Sequence, residues 1–368
     1  MNRRLALLRS SLVLLMWFAA SPASAAAAKT ATPCATPCTL ACQPFGVRPQ
    51  DDVWAISTRQ IGCCTIAFTP QVWHYELGRW QPSTLAAFYA SDSPEQVTSV
   101  YLHGNRIDHG YALSNGLDVY FQLVGRFSEE RPTRFVIWSW PSSQIKGAIQ
   151  DARAKAARTD IEGYLLAQFL SGMQSDVQVG LVGYSFGARI VTGGLHLLGG
   201  GQLCGRVISG GNRQPIRVVL WAAALHNHWL LPGHCHGQAL QMADRWLIYV
   251  NNCDPALRRY RALDRYSKPE PLGYTGFAGL NSLPPHLRGR VEQLNVSHIV
   301  GTSHDMRAYL NAGTIIHRTR QYALWYDLMG GTPALAAPAA PRPAGKPTPV
   351  LATEKREQTL TLKPASGA

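Results

Sequence analysis

Between residues 51 and 330 the chain alternates short apolar runs with longer amphipathic ones. DDVWAIST (51–58), VWHYEL (72–77), TSVYLHG (98–104), RFVIWSW (134–140), VQVGLVGYS (177–185), RVVLWAAAL (217–225), RWLIYVNN (245–252) and SHIVGTSH (297–304) have the length and composition of strands. Several are apolar on both faces, as in the buried middle of a parallel sheet. Residues 113–127, 142–173, 186–198 and 254–266 carry helical spacing. Strands alternating with helices predict one three-layer α/β domain over 51–330 with a mostly parallel central sheet. From 331 to 368 the Pro/Ala-rich sequence has no sustained period, and a disordered tail is expected there.

The first residues belong to a different class. MNRR is basic, LALLRSSLVLLMWFAA is apolar, and SPASAAAA supplies small residues with an A-S-A pattern at Ala23 to Ala25. Together they predict a signal peptide over 1–25 and a periplasmic or secreted mature chain. A membrane anchor fits less well, because Arg9 and Ser10 break the apolar run before it reaches about 18–20 residues.

Cysteine use agrees with export. The chain has eight cysteines, at 34, 38, 42, 63, 64, 204, 235 and 253, an even number that suggests disulfides. Cys34, Cys38 and Cys42 read as a staple within an N-terminal segment, 26–50. Cys204 and Cys235 are one possible pair.

The formal charge of +13 changes the picture little. Losing Arg3, Arg4 and Arg9 with the signal peptide leaves about +10, enough for weak association with anionic cell-surface polymers. RRYRALDRYSK (258–268) reads as a solvated helix face. Nucleic acid is not an expected partner, since no recognised binding motif is present.

The most informative motif is GYSFG, Gly183 to Gly187, between an apolar strand and a helical run. A serine on such a turn stands out at the strand's end, and the flanking glycines remove side chains that would collide there. The N–H of Phe186, at the helix start, points to where an oxyanion would form. Ser185 is therefore the candidate nucleophile.

Upstream, the strand in VYLHGNRID ends at His103-Gly104. With the serine turn, this loop makes residues 51–330 resemble the α/β-hydrolase fold. The chain is most similar to bacterial members that pair an H-G-N or H-G-F loop with WSWPS after the next strand. The resemblance implies a second oxyanion donor in the backbone N–H of Asn105, with His103 orienting the loop. It also implies an acid and a base following in the order Ser, Asp, His. Asp254, just past the strand RWLIYVNN, stands where the family places its acid; Asp244 and Asp264 fit less well. His304 matches the family's loop histidine, with His298 as the alternative.

HNHWLLPGHCH (226–236) holds four histidines and a cysteine in eleven positions. Two H-x-H pairs offer zinc or copper ligands, but loop histidines are common and no metal is expected. KPEPLGYTGFAGLNSLPP (268–285) is expected to wall the site. The sequence thus predicts an exported serine esterase that needs no cofactor and acts on a small-molecule or lipid ester. The rival is a non-catalytic secreted module using the fold as a platform for polymer or metal binding.

Overall fold

Among the described residues, alternating buried runs become nine strands: β1 (Asp52–Ser57), β2 (Gln71–Glu76), β3 (Arg79–Ser83), β4 (Val97–Leu102), β5 (Thr133–Ser139), β6 (Val179–Tyr184), β7 (Ile216–Trp221), β8 (Arg245–Val250) and β9 (Val291–Asn295). The computed structural model describes residues 46–326, apart from 64–66, 129–130, 211–212 and 264–266. The segments read as a signal peptide and a tail, and Cys34, Cys38 and Cys42, read as a staple, lie outside the described residues.

The strands form one sheet in the order β3-β2-β1-β5-β4-β6-β7-β8-β9. Only the β1–β2 and β2–β3 pairs are antiparallel. Every residue of β4, β5 and β7 is buried, as strands covered on both faces must be.

The helices are α1 (Leu85–Ala90), α2 (His109–Tyr120), α3 (Ala148–Ser171), α4 (Phe186–Leu198), α5 (Pro255–Arg258), α6 (Leu272–Thr275), α7 (Pro285–Arg288), α8 (Ser297–Val300), α9 (Met306–Leu310) and α10 (Gly313–Ala323). A single π turn, Phe121–Gly125, extends α2. The chain steps from β4 to β5 in one direction across the sheet and from β5 to β6 in the other. Right-handed crossovers in opposite directions place α2 and α3 on opposite faces. Accordingly α3 packs with α4, whereas α10 packs beside the π turn against β6, β7 and β8. The reversal opens a crevice at the carboxyl ends of β4 and β6, the position where open α/β sheets gather functional groups. No described helix is long and apolar enough to cross a membrane.

Three local readings of the sequence differ from the structure. Residues 297–304 are not a strand: the strand is β9, and 297–300 form one helical turn. Val300 N–H donates to Val296 O, Asn295 Oδ1 accepts from Ser297 N–H, and Gly301 ends the turn at φ +65°. Among the described residues of 254–263, the expected helix is replaced by the short α5 and a 3-10 turn at Tyr260–Leu263. Edge strand β3 escapes the hydrophobic pattern because it is half exposed and contains Pro82, which an edge tolerates.

Candidate active site

Ser185 sits between β6 and α4 with φ 54° and ψ −118°, a backbone conformation that side chains disfavour. Neighbouring backbone enforces it. Ser185 N–H donates to Trp221 O at 2.9 Å, and Ser185 O accepts from the N–H groups of Ala188 and Ala224, both at 3.1 Å. The flanking glycines permit this closure. A Cβ on Gly187 would lie 2.1 Å from Leu102 O, and one on Gly183 would lie 2.7 Å from Ala188 Cα. Strand and helix therefore meet at a separation that no larger residue allows.

Asp254 follows β8 and is fully buried. Its two oxygens have separate partners. Oδ1 accepts from the N–H groups of Ala256 and Leu257, each at 2.9 Å, and so caps α5 with Pro255 at the first helical position. Oδ2 lies 2.6 Å from His304 Nδ1. A carboxylate can only accept, so Nδ1 carries a proton, and in the neutral ring Nε2 is then the acceptor. Nε2 stands 3.1 Å from Ser185 Oγ. The structure thus brings Ser185, His304 and Asp254 into one hydrogen-bonded line.

Two residues that the sequence reading did not single out hold the His304 loop. Asn251, fully buried at the end of β8, donates through Nδ2 to Gly301 O at 2.9 Å and Ser303 O at 3.2 Å. The hydroxyl of Tyr184 donates to His304 O, and its ring packs beside the imidazole with centroids 5.6 Å apart. Tyr184 is the residue inside GYSFG that precedes the serine, so proximity to the motif was its one sequence signal. Asn251 had none. His298 lies on α8 and makes no hydrogen bond to Ser185 or Asp254. Asp244 precedes β8 at the opposite end of the sheet, and Asp264 is outside the described residues.

Across the crevice, the loop after β4 approaches the serine closely. A Cβ on Gly104 would lie 3.0 Å from Ser185 Cβ and 2.9 Å from the Tyr184 ring. His103 Nδ1–H donates to Gly104 O at 2.9 Å, and its Nε2 accepts from Trp140 N–H at 3.3 Å. Trp140 Nε1–H donates back to His103 O at 2.8 Å. Burial pushes the His103 imidazole down to about 3, and the adjacent Arg59 pushes the same way. His103 therefore stays neutral and holds the loop in place.

The amides of Phe186 and Asn105 have no acceptor among the described residues. One starts α4 beside the serine; the other follows Gly104. Donors so placed suit a negative oxygen developing above Ser185 Oγ. The serine is buried, 7% exposed, whereas the His304 side chain is 26% exposed. Chemically, the arrangement can remove a proton from Ser185 and stabilise the imidazolium that results.

The histidine-rich loop is built differently. His236 is fully buried, with Nδ1 2.8 Å from Thr192 Oγ1, and burial drives its imidazole well below the ordinary value. His226 packs on Trp229 at 4.3 Å between ring centroids, and His228 packs edge-on to His234 at 5.2 Å. Among the described residues no group of three or more His, Cys, Asp or Glu could hold a metal ion. Cys204 and Cys235 are both exposed thiols, and Cys204 Sγ lies 3.6 Å from Asp160 Oδ2. The Gly/Pro-rich stretch 268–285 is stitched to the ends of β7 and β8: Leu272 N–H donates to Leu225 O, Gly273 N–H to Ala223 O, and Asn251 N–H to Gly273 O.

Comparison of the chain with known protein families and with curated proteins found no match.

Proposed function

We propose that this chain is a serine hydrolase of the α/β-hydrolase fold acting on carboxylic esters. One observation carries the reading. Ser185 Oγ, His304 Nε2, His304 Nδ1 and Asp254 Oδ2 form a continuous path at 3.1 and 2.6 Å. The chain order Ser, Asp, His and the strained serine turn between strand and helix add support.

In this reading Ser185 Oγ attacks the ester carbonyl carbon as its proton passes to His304 Nε2. The carbonyl electron pair moves onto oxygen, where the amides of Phe186 and Asn105 stabilise it. The tetrahedral intermediate collapses, and His304 returns the proton to the departing alcohol. Water then attacks the acyl carbon with His304 again as base, releasing the acid and restoring Ser185. Asp254 holds the imidazole tautomer and offsets its positive charge. The chain's own residues suffice for each step.

The substrate is a small-molecule or lipid ester, and the N-terminal 25 residues support action outside the cytoplasm. The basic mature chain would associate weakly with anionic surface polymers. A fluorophosphonate probe tests the reading, because only an activated serine reacts with it. Labelling of the wild-type protein that disappears in Ser185→Ala, together with turnover of p-nitrophenyl esters, is the expected result. A folded wild-type protein that neither labels nor turns over any ester in an acyl-length panel overturns it.

A further inference from the structure

We infer that Asp151, at the start of α3, is a positioning residue for the oxyanion loop; this rests on the serine-hydrolase reading. Asp151 is fully buried, yet it does not cap its helix: the N-cap residue is Gly147. Its carboxylate accepts three hydrogen bonds from outside the helix backbone. Asn105 Nδ2 donates to Oδ2 at 2.9 Å, Arg106 Nε donates to the same oxygen at 3.0 Å, and Ile145 N–H donates to Oδ1 at 3.0 Å. Two of the three donors are the residues that follow Gly104, and Gly104 is in contact with Ser185.

The arrangement is costly, which points away from a merely structural bridge. A carboxylate loses its hydration on burial, and a well-packed apolar residue would serve stability as well. Burial by itself pushes the Asp151 carboxyl up, but the bonds from Ile145, Arg106 and Asn105 outweigh it and hold the group below its ordinary value. Asp151 is therefore charged, and as a pure acceptor it forces the Asn105 amide to turn its NH2 inward. Asn105 Oδ1 is left buried with no hydrogen-bond partner among the described residues. Arg106 is held at φ +60°, a left-handed conformation unusual for a residue with a side chain. An unpaired acceptor and a strained backbone, both within two residues of Gly104, show that the loop is pinned rather than relaxed. The pinned object is the peptide that carries the Asn105 N–H. Arg106 also balances the Asp151 charge, so the brace adds no net negative charge near a developing oxyanion.

The test separates transition-state geometry from folding. In an alkyl trifluoromethyl ketone, Ser185 Oγ bonds to the carbonyl carbon, its proton passes to His304 Nε2, and the carbonyl pair becomes an oxyanion that is not expelled. Its Ki therefore reads the oxyanion donors directly. Asp151→Ala should raise that Ki and lower kcat by about 10- to 100-fold, the scale of a misplaced catalytic group, while KM for a short ester changes less than about threefold. Asn105→Ala, which removes one arm and leaves Asp151 paired with Arg106 and Ile145, should show the same split. In the double variant the losses should be less than multiplicative. If Asp151→Ala does not fold, Asn105→Ala carries the test. Folded variants with kcat and Ki within twofold of wild type overturn the assignment, as does a loss confined to KM. A wild-type protein that neither hydrolyses esters nor binds the ketone overturns the hydrolase reading itself, and the brace with it.

Discussion

Asp254 divides its carboxylate between two neighbours, one oxygen lying 2.6 Å from His304 Nδ1 and the other capping α5. The division separates catalysis from stability. Asp254→Asn keeps a capping oxygen but presents a donor or a neutral acceptor to the imidazole, disturbing its tautomer. Turnover should fall by about 10³- to 10⁴-fold with the melting temperature nearly unchanged. Asp254→Ala should lose the same activity and, in addition, about 0.5–2 kcal/mol of stability with the cap. Ester kinetics and thermal melts of both variants check this, and equal melting temperatures for Asn and Ala would disprove the capping half.

The conformation of Ser185 makes a second prediction. A non-glycine residue at φ 54° and ψ −118° stores strain of about 1–3 kcal/mol. Ser185→Gly should therefore melt higher than Ser185→Ala, by a few degrees, although on the proposed reading neither variant should turn over ester. Differential scanning calorimetry decides it. If the Gly variant melts no higher than the Ala variant, the turn is not strained.

Acid should destabilise the fold through its buried histidines. His103 and His236 remain neutral in the folded chain, because burial lowers both. Unfolding exposes them at their ordinary value near 6.5, so below that pH the unfolded state binds more protons. The stability contribution is complete above about pH 6.5 and is lost as pH falls, by about 1.4 kcal/mol per pH unit for each group. Urea unfolding at pH 7 and pH 5 measures the slope. His236→Gln, which keeps a side-chain partner for Thr192, should flatten it by about that amount per unit, whereas parallel slopes would show that His236 is already charged.

Gly104 offers a fourth test. A methyl group there meets the Tyr184 ring at 2.9 Å and Ser185 Cβ at 3.0 Å. Gly104→Ala must push the loop and serine apart, and with them the Asn105 amide that the proposed mechanism uses as an oxyanion donor. Turnover should drop by about 10- to 100-fold, while far-UV circular dichroism stays as in wild type. Wild-type kinetics would mean that the loop does not take part in the chemistry.

How much of the fold and site was legible in the sequence depended on the range of the contacts involved. Strands β4 to β8 were legible because their residues are buried on both faces, and continuous apolar runs betray that directly. Edge strands were not: β3 contains a proline, and β9 reads VEQLN with most positions partly exposed. Missing β9 moved the strand reading onto 297–304 and made His298 seem a strand residue. GYSFG carried a local backbone signal, so Ser185 and Phe186 could be named, whereas Asn105 came only from the family resemblance of the His-Gly loop. Asp151 and Asn251 could not, because each acts on backbone or side chains about 50 residues away. Such partners exist only after the sheet has closed.

The residues that meet at the serine turn come from widely separated parts of the chain, with Ser185 and His304 119 positions apart and with β9, at the sheet edge, pairing just before the histidine. A chain emerging from synthesis can form β4, β5 and β6 and fold the serine turn before His304 has been made. On the proposed reading, the Ser185–His304–Asp254 line is then completed last, when β9 docks on β8 and delivers the loop to Asp254. During refolding, recovery of serine labelling should lag behind recovery of secondary structure. Loosening of one outer strand would silence the protein long before its core is lost.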